Sequence, residues 1–527
     1  MGGGVDYGRG GRAPLTHPHP PVSPHAPSPS SSVLKHGPVF ASHLVGTPCI
    51  VVTRAADVEA VMLGEHALTE WWSPPSFVRL LGSASDAGVM ADKARHAKRR
   101  RQQATAFSPA ALAAYAPRVA SATTAALDAW AARPGGVVDD LVPALADLTF
   151  EYAEATVVDL GLDAAGAAKV RGAWQEFSQN LFSLPIDLPG TPLRRALRAR
   201  DRVTDALSSA VSAYKAAFDA GMRAFVCAGG VQKRRGGKKG GDSVFAPFFN
   251  PPAPSPLPGG VPPTTMMSYY MAARAADGDP LSSAELADMA LGLYLAGFDT
   301  SHSAHLVLLG LLPRLAPRVR AALEDEQRAV VAKHGDELSA AALADMKYAD
   351  AVSKECLRLL GPAEGLFRRA RTDFALSGTR IVAGDILYVS NLYAKAADAV
   401  LAGGALAPEA RLPPRHMDAN APAESVVPER WLPGSGEPPA AAGTLAFGLG
   451  RHSCLGAPLY AMEAKCLLAE AVRKYDLAVG DGVAWAPTWA AQAAAFRKGA
   501  KLPAVLTRRA DPIVAPPVAE REAAATA

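Results

Sequence analysis

Phe447-Gly448-Leu449-Gly450-Arg451-His452-Ser453-Cys454-Leu455-Gly456 is the stretch on which the reading of this chain turns. A single cysteine stands behind two glycines and directly before a segment, 456–475, whose apolar pattern is helical. The glycines permit a tight turn that brings backbone N–H groups toward the sulfur. The dipole and free N–H groups at the start of the following helix favour a thiolate. A thiolate in a shielded loop is a good axial ligand for a haem iron, and it donates electron density that favours O–O cleavage. A cysteine taken at random is more often a buried structural residue. Cys356 and Cys466, both inside helical patterns, are read that way.

Working upstream, Ser282-Ser283-Ala284-Glu285 has the pattern of a capping box. It opens a long apolar stretch that Pro313 can end. Midway lies Ala296-Gly297-Phe298-Asp299-Thr300-Ser301. A glycine followed by Asp and Thr inside a helix costs stability. A local kink is the bland account, but a local rule broken in a buried helix often marks a site. Further helical patterns cover 55–63, 110–132, 141–162, 193–226, 314–333 and 340–360. Pro-Cys-Ile-Val-Val (48–52) reads as a strand, and Ile381, Ile386, Leu387 and Val389 around Gly384-Asp385 suggest a small hairpin. The fold class expected is mainly α with a small β portion, in one large domain over 33–508. Residues 1–32, rich in Gly, Pro and Ser, and 509–527 are expected to be disordered tails. The basic, glycine- and proline-rich segment 229–263 is expected to be a flexible insertion.

Composition narrows the function classes. The chain has 527 residues, 49% hydrophobic and 20% charged, and a formal net charge of +4, so nothing calls for nucleic acid. Five cysteines, sparse and odd in number, argue against a disulfide scaffold and fit a reducing compartment. Neither Cys-x-x-Cys nor a zinc-like His/Cys spacing occurs. No apolar run is long enough to span a bilayer. The first 32 residues lack the apolar core of a secretory signal, and a disordered tail is preferred there to an organelle-targeting segment.

The cysteine stretch resembles the haem-binding signature of the cytochrome P-450 superfamily, Phe-x-x-Gly-x-x-x-Cys-x-Gly, met by Phe447, Gly450, Cys454 and Gly456. Other segments resemble family motifs in the family's order. Glu355-Cys356-Leu357-Arg358 is similar to the Glu-x-x-Arg helix motif, and Pro428-Glu429-Arg430-Trp431 to the element whose Arg joins that pair in a buried ion network. Ala296 to Ser301 is similar to the oxygen-activation motif. His96 to Arg101 resembles the third helix of the family. The resemblance departs in having no recognisable anchor and hinge before Val33, and Gly361-Pro362 where Pro-Pro is usual.

The resemblance implies haem b (iron protoporphyrin IX) between the long central helix and the cysteine loop, with Cys454 as axial ligand. It implies that His96, Arg100, Arg368 and His452 face the haem propionates, Gly297 opens the helix beside the iron, Thr300 hydrogen-bonds dioxygen and Asp299 relays protons. It implies a monooxygenase that takes electrons, ultimately from NAD(P)H, from a separate ferredoxin or flavin reductase. Arg451, Lys465, Lys93, Lys98, Arg99 and Arg101 are expected on the docking face. The likeness is greatest to a branch that includes retinoic-acid, abscisic-acid and sterol hydroxylases, so a hydrophobic, isoprenoid substrate is expected. Trp71, Trp72, Leu293, Phe298, Leu366 and Phe367 are the candidate pocket residues. The rival readings are a fatty-acid hydroxylase, an oxygen-independent haem-thiolate isomerase and a catalytically silent haem protein. A monomer is expected.

Overall fold

The computed structural model describes residues 36–44, 46–81, 93–158, 163–181, 183–227, 264–278, 282–363, 365–390, 426–434, 445–480 and 501–515. The helices in chain order are α1 (Ala55–Leu63), α2 (Pro75–Leu81), α3 (Lys93–Ala104), α4 (Pro109–Ala131), α5 (Leu141–Thr156), α6 (Ala164–Ser178) and α7 (Pro192–Cys227). They continue with α8 (Met266–Ala276), α9 (Ser283–Leu311), α10 (Pro317–His334), α11 (Ala340–Asp345), α12 (Lys347–Leu360) and α13 (Ala457–Lys474). The strands are β1 (Val39–Leu44), β2 (Thr47–Val52), β3 (Thr69–Trp71), β4 (Val137–Val138), β5 (Gly365–Ala370), β6 (Phe374–Leu376), β7 (Thr379–Ile381), β8 (Ile386–Ser390), β9 (Tyr475–Val479) and β10 (Ala504–Arg508). The expected class, mainly α with a small β portion, holds.

Local chemistry explains where the main helices begin. The Ser282 Oγ accepts the Glu285 N–H at 3.2 Å, and the Glu285 carboxylate accepts the Ser282 N–H at 2.9 Å, so the capping box at the head of α9 is formed. Ser108 caps α4, with Pro109 in its first turn. Asp140 caps α5, and the same Oδ1 takes the Leu502 N–H at 3.1 Å. That shared oxygen ties the helix start to the strand region at the end of the chain. Helix α9 is the spine: α5, α7, α12 and α13 pack around it, and its last nine residues, Ser303 to Leu311, are all buried.

The larger sheet runs β1-β2-β8-β5-β3, and β4-β10-β9 and β6-β7 form two small ones. In the larger sheet β2 and β8 are parallel, whereas β5 is antiparallel to both β8 and β3. The β3–β5 register sets Trp71 opposite Arg368, which matters for the site below.

Three expectations need correcting. Ile381 and Ile386 do not belong to one hairpin. β7 turns back onto β6 through Ser377 and Gly378, both at positive φ, while β8 joins the larger sheet. Residues 340–360 form two helices, broken at Met346, where ψ is 75°. Residues 509–515 are anchored: the Arg509 N–H donates to Lys474 O and the Ile513 N–H to Arg473 O, at 2.9 and 2.8 Å, and Ile513 is buried. The chain is held there because β10 delivers it alongside the end of α13. The 1–32 tail, the 229–263 insertion and residues 516–527 lie outside the described residues. Among the described residues no helix is long and apolar enough to cross a membrane.

Candidate active site

The cysteine loop is built from short 3-10 turns, Leu445–Phe447 and Gly450–His452. The Cys454 N–H donates to Phe447 O at 2.7 Å and closes it. Gly448 and Gly450 adopt φ of 69° and 70°, a backbone that side chains resist. A Cβ at Gly450 would also stand 3.1 Å from Met62 O, and one at Gly456 would stand 3.6 Å from the Cys454 sulfur. These glycines let the loop lie against α1 and leave the sulfur uncovered. Cys454 is exposed, whereas Cys49, Cys356 and Cys466 are buried. Burial pushes the Cys454 thiol up, while the N–H groups of Gly456 and Ala457 and the Arg100 guanidinium act in the opposite direction. Burial pushes Cys49 and Cys356 to about 12, and it outweighs the Leu44 backbone contact at the first and the Arg358 charge at the second.

On α9 the residues spaced by one turn at 292, 296 and 300 form an open stripe. Gly292 and Ala296 are exposed and Thr300 half-buried. Among the described residues, and apart from the helix's own backbone, nothing stands within 4 Å of where a Cβ would lie at Gly292 or Gly297. The Thr300 hydroxyl donates to Ala296 O. Asp299 turns the other way, is buried, and meets Ser178 and Trp174 of α6. Burial raises its carboxyl from the usual 3.8 to about 7, against the pull of those two donors. Phe298 is a correction: it packs edge-on against Phe150 and Trp174, with ring centres 6.3 and 6.0 Å away, and is core. Phe367 likewise packs against Trp72 and Tyr388. Of the expected pocket residues, Trp71, Trp72, Leu293 and Leu366 stay half-buried.

Arg368, on β5, is fully buried. Its Nη1 donates to Phe367 O at 2.9 Å, and its guanidinium lies 4.8 Å over the Trp71 ring. Its Nε and Nη2 have no hydrogen-bond partner among the described residues. His452 stands on the same aromatic, 4.9 Å from Trp71, and stacks on His96 at 4.0 Å. Its ring nitrogens also lack an aligned partner, although Nε2 comes within 2.6 Å of Glu65 Oε1. Burial first, then the neighbouring cations, lowers His96 to about 4. A buried guanidinium with unused N–H groups is costly unless an anion meets it. The propionates of a haem are such anions, so this donor set fits the group that the cysteine loop implies. Arg100, expected beside His96, departs from it: its Nη2 donates to the Ser453 carbonyl, and to Ser453 Oγ at 3.1 Å, next to the cysteine.

Glu355 is fully buried, and its carboxylate collects donors from three directions. Arg358 Nε and Nη2 bind it at 2.7 and 2.8 Å, Trp431 Nε1 at 2.7 Å and the Val427 N–H at 3.0 Å. Arg430 Nε lies 3.0 Å away. The three residues expected to form an ion network are brought together.

The expected docking face is broken up. Arg99 Nη2 points at Met289 Sδ on α9, and Arg101 reaches Asp277 at 3.6 Å. Lys465 is bound to Leu343 O at 3.1 Å and is largely buried. Lys93, Lys98 and Arg451 remain exposed. Two features of the site escape sequence reasoning: Glu65 beside His452, and Trp174 and Ser178 beside Asp299. No motif or spacing marks them, because each contact joins distant segments.

A family model described as Cytochrome P450 matches residues 33–399 and 421–492. The chain belongs to the cytochrome P450 family. Cytochrome P450 26C1 of Homo sapiens is 30% identical over 474 residues, which cover 85% of this chain and 79% of that protein. Cytochrome P450 26C1 of Mus musculus is 29% identical over 472 residues, covering 85% and 79%. Cytochrome P450 26B1 of Danio rerio is 28% identical over 355 residues, covering 66% and 61%. Among solved structures, the retinoic-acid-bound cyanobacterial CYP120A1 aligns with a TM-score of 0.68 at 24% identity, covering 91% of this chain and 93% of that one. As a cytochrome P450 monooxygenase, this protein uses haem iron, dioxygen, a hydrophobic substrate and a redox partner.

Proposed function

We propose that this cytochrome P450 oxygenates an isoprenoid, retinoid-like substrate, with Cys454 as the thiolate that would hold the haem iron. The observation that carries the site assignment is the pairing of one exposed, turn-held cysteine with a buried guanidinium whose Nε and Nη2 await an anion. His96, Arg368 and His452 would hold the propionates, and Arg100 would steady the cysteine loop through Ser453. Haem bound there supplies dioxygen binding and O–O cleavage, and the thiolate's electron donation assists the cleavage. The open stripe of α9 leaves room for dioxygen and substrate, and the Thr300 hydroxyl on that stripe would hold a proton there. Asp299, poised near neutrality by burial, would take up and release protons on the α6 side of α9. Glu355, Arg358 and Arg430 keep the core rigid behind the loop. Phe447 and Gly456 complete the loop around the sulfur, and Gly297 keeps the α9 backbone open. Electrons arrive singly from a separate ferredoxin or flavin reductase, ultimately from NAD(P)H, at the face bearing Arg451, Lys93 and Lys98.

The retinoid assignment is supported by the retinoic-acid-bound structure reported above and by the likeness to the isoprenoid-hydroxylase branch. The acid and alcohol at Asp299 and Thr300 favour oxygen-dependent chemistry over hydroperoxide rearrangement. The test is a titration of the purified haem protein with retinoids, sterols and saturated fatty acids, following the Soret band. Low-spin to high-spin conversion by retinoids is expected. Conversion by fatty acids alone would overturn the substrate class, and product without dioxygen would overturn the reaction class.

A further inference from the structure

The carboxylate of Glu65 sits where a cluster built for an anion has no evident need of one. It is buried, 2.6 Å from His452 Nε2, in the group that contains Trp71, His96 and Arg368. Its own oxygens have no aligned hydrogen-bond partner among the described residues. Burial pushes its carboxyl up, but the His452 contact and the charges of His452, Arg368 and His66 outweigh that and leave it below the usual range. It is therefore a buried carboxylate held mainly by charge.

The fold holds it there deliberately. Gly64 closes α1, and Glu65 bridges to Thr69 at the start of β3. His66, next in the chain, adopts φ of 69°, a conformation that a histidine rarely takes. Its N–H donates to Thr69 O at 2.7 Å, and its carbonyl accepts from Arg371 Nη1 at 2.7 Å. The Thr69 hydroxyl donates to Val61 O at 3.1 Å. A left-handed backbone at a bulky residue persists only where its surroundings impose it, and such positions gather at functional sites.

From this placement we infer that Glu65 is a positioning residue that sets the electrical poise of the haem edge: its charge offsets that of Arg368 and holds the haem at a lower reduction potential. The inference rests on reading the Arg368–His452 cluster as the propionate cradle. A fixed negative charge in a poorly solvated interior favours the oxidised, more positive iron, and interior charges act over longer distances than those in water. Arg368 without a counter-charge would do the reverse. With Glu65 present, the cradle gains the geometry of Arg368 while giving up much of its charge.

The test uses the full-length haem protein and potentiometric titration of the ferric/ferrous couple, beside the rate of haem transfer to apomyoglobin. Glu65→Gln keeps the shape and removes the charge, and should shift the midpoint potential upward. Glu65→Asp keeps the charge, and should stay close to the wild-type potential even if the loop is disturbed. An unchanged or lowered potential in Glu65→Gln, or equal upward shifts in both variants, would overturn the role of Glu65. Arg368→Gln checks the underlying reading separately. Faster haem transfer supports the cradle, and a wild-type transfer rate would refute the cradle whatever Glu65 does.

Discussion

Removing the carboxylate of Glu355 is the perturbation whose cost can be worked most directly from the structure. The side chain is fully buried and accepts from Arg358 twice, from Trp431 and from the Val427 N–H, with Arg430 at 3.0 Å. Glu355→Ala would leave two guanidinium ions, one indole N–H and one backbone N–H without their acceptor. Breaking a buried ion pair by deleting one partner costs about 3–5 kcal/mol. The Arg358 and Arg430 side chains are 20% and 19% exposed, so water recovers part of their solvation, and the low end, about 3 kcal/mol, is expected. Glu355→Gln keeps the volume and one acceptor oxygen but turns an amide N–H₂ toward the arginines, so it should cost more than half as much. Chemical denaturation followed by tryptophan fluorescence measures the change, with Asp345→Asn, which breaks an exposed pair with Lys333, as the comparison. A Glu355→Ala loss no larger than that of Asp345→Asn would refute the reasoning, because it would mean the buried arginines do not need the carboxylate.

Cys454→Ser should abolish the thiolate-type spectrum of the reduced carbon monoxide complex, whereas Cys466→Ser, at a fully buried position, should keep it; retention of the spectrum in Cys454→Ser would remove the ligand assignment. Thr300→Ala should bind haem and substrate normally but divert electrons to hydrogen peroxide, read as product formed per electron consumed. Glu463, fully enclosed and accepting from Ser301 Oγ at 2.8 Å, is raised by burial from the usual 4.5 to about 8. Because the folded value is the higher one, its contribution is full below pH 4.5 and is lost as pH rises toward about 8. Glu463→Gln should therefore flatten the fall in stability between pH 5 and pH 8, and parallel pH profiles for the two proteins would count against the assignment.

How far the sequence carried this reading depended on the range of each interaction. The cysteine loop was legible because its chemistry is local: Gly448 and Gly450 take the positive φ that the turn needs, and the helix starts just after Cys454, where the Gly456 and Ala457 N–H groups reach the sulfur. Glu355 and Arg358 share a helix face through an i,i+3 spacing. The errors came where a local pattern is compatible with two partners. The apolar residues around Gly384 mark strands correctly, but β6 claims one and the larger sheet the other, a choice made by distant residues. The cations of α3 were assigned to one surface, yet successive residues on a helix point about 100° apart. Arg99 therefore turns to Met289 and Arg101 to Asp277, while Lys98 is exposed. Aromatic residues near a motif suit a pocket and a core equally, and at Phe298 the ring packs with Phe150 and Trp174.

The same range argument explains why the anion cluster could be seen only in three dimensions. Trp71, His96, Arg368 and His452 come from β3, α3, β5 and the cysteine loop, and only the β3–β5 register sets the Trp71 ring beneath the Arg368 guanidinium. A substitution that slips this register by one residue would send every β3 side chain to the opposite face. Arg368 would lose its aromatic support while its own strand stayed intact. The geometry of the candidate haem edge is thus governed by a three-residue strand whose sequence, Thr69-Glu70-Trp71, carries no signature of its own. Thr69 is fully buried there, bonded to Val61 O and bridged to Glu65. One short turn therefore fixes both the strand that supports the cation and the carboxylate that opposes it, which makes the segment 64–71 as consequential for the candidate haem edge as the cysteine loop itself.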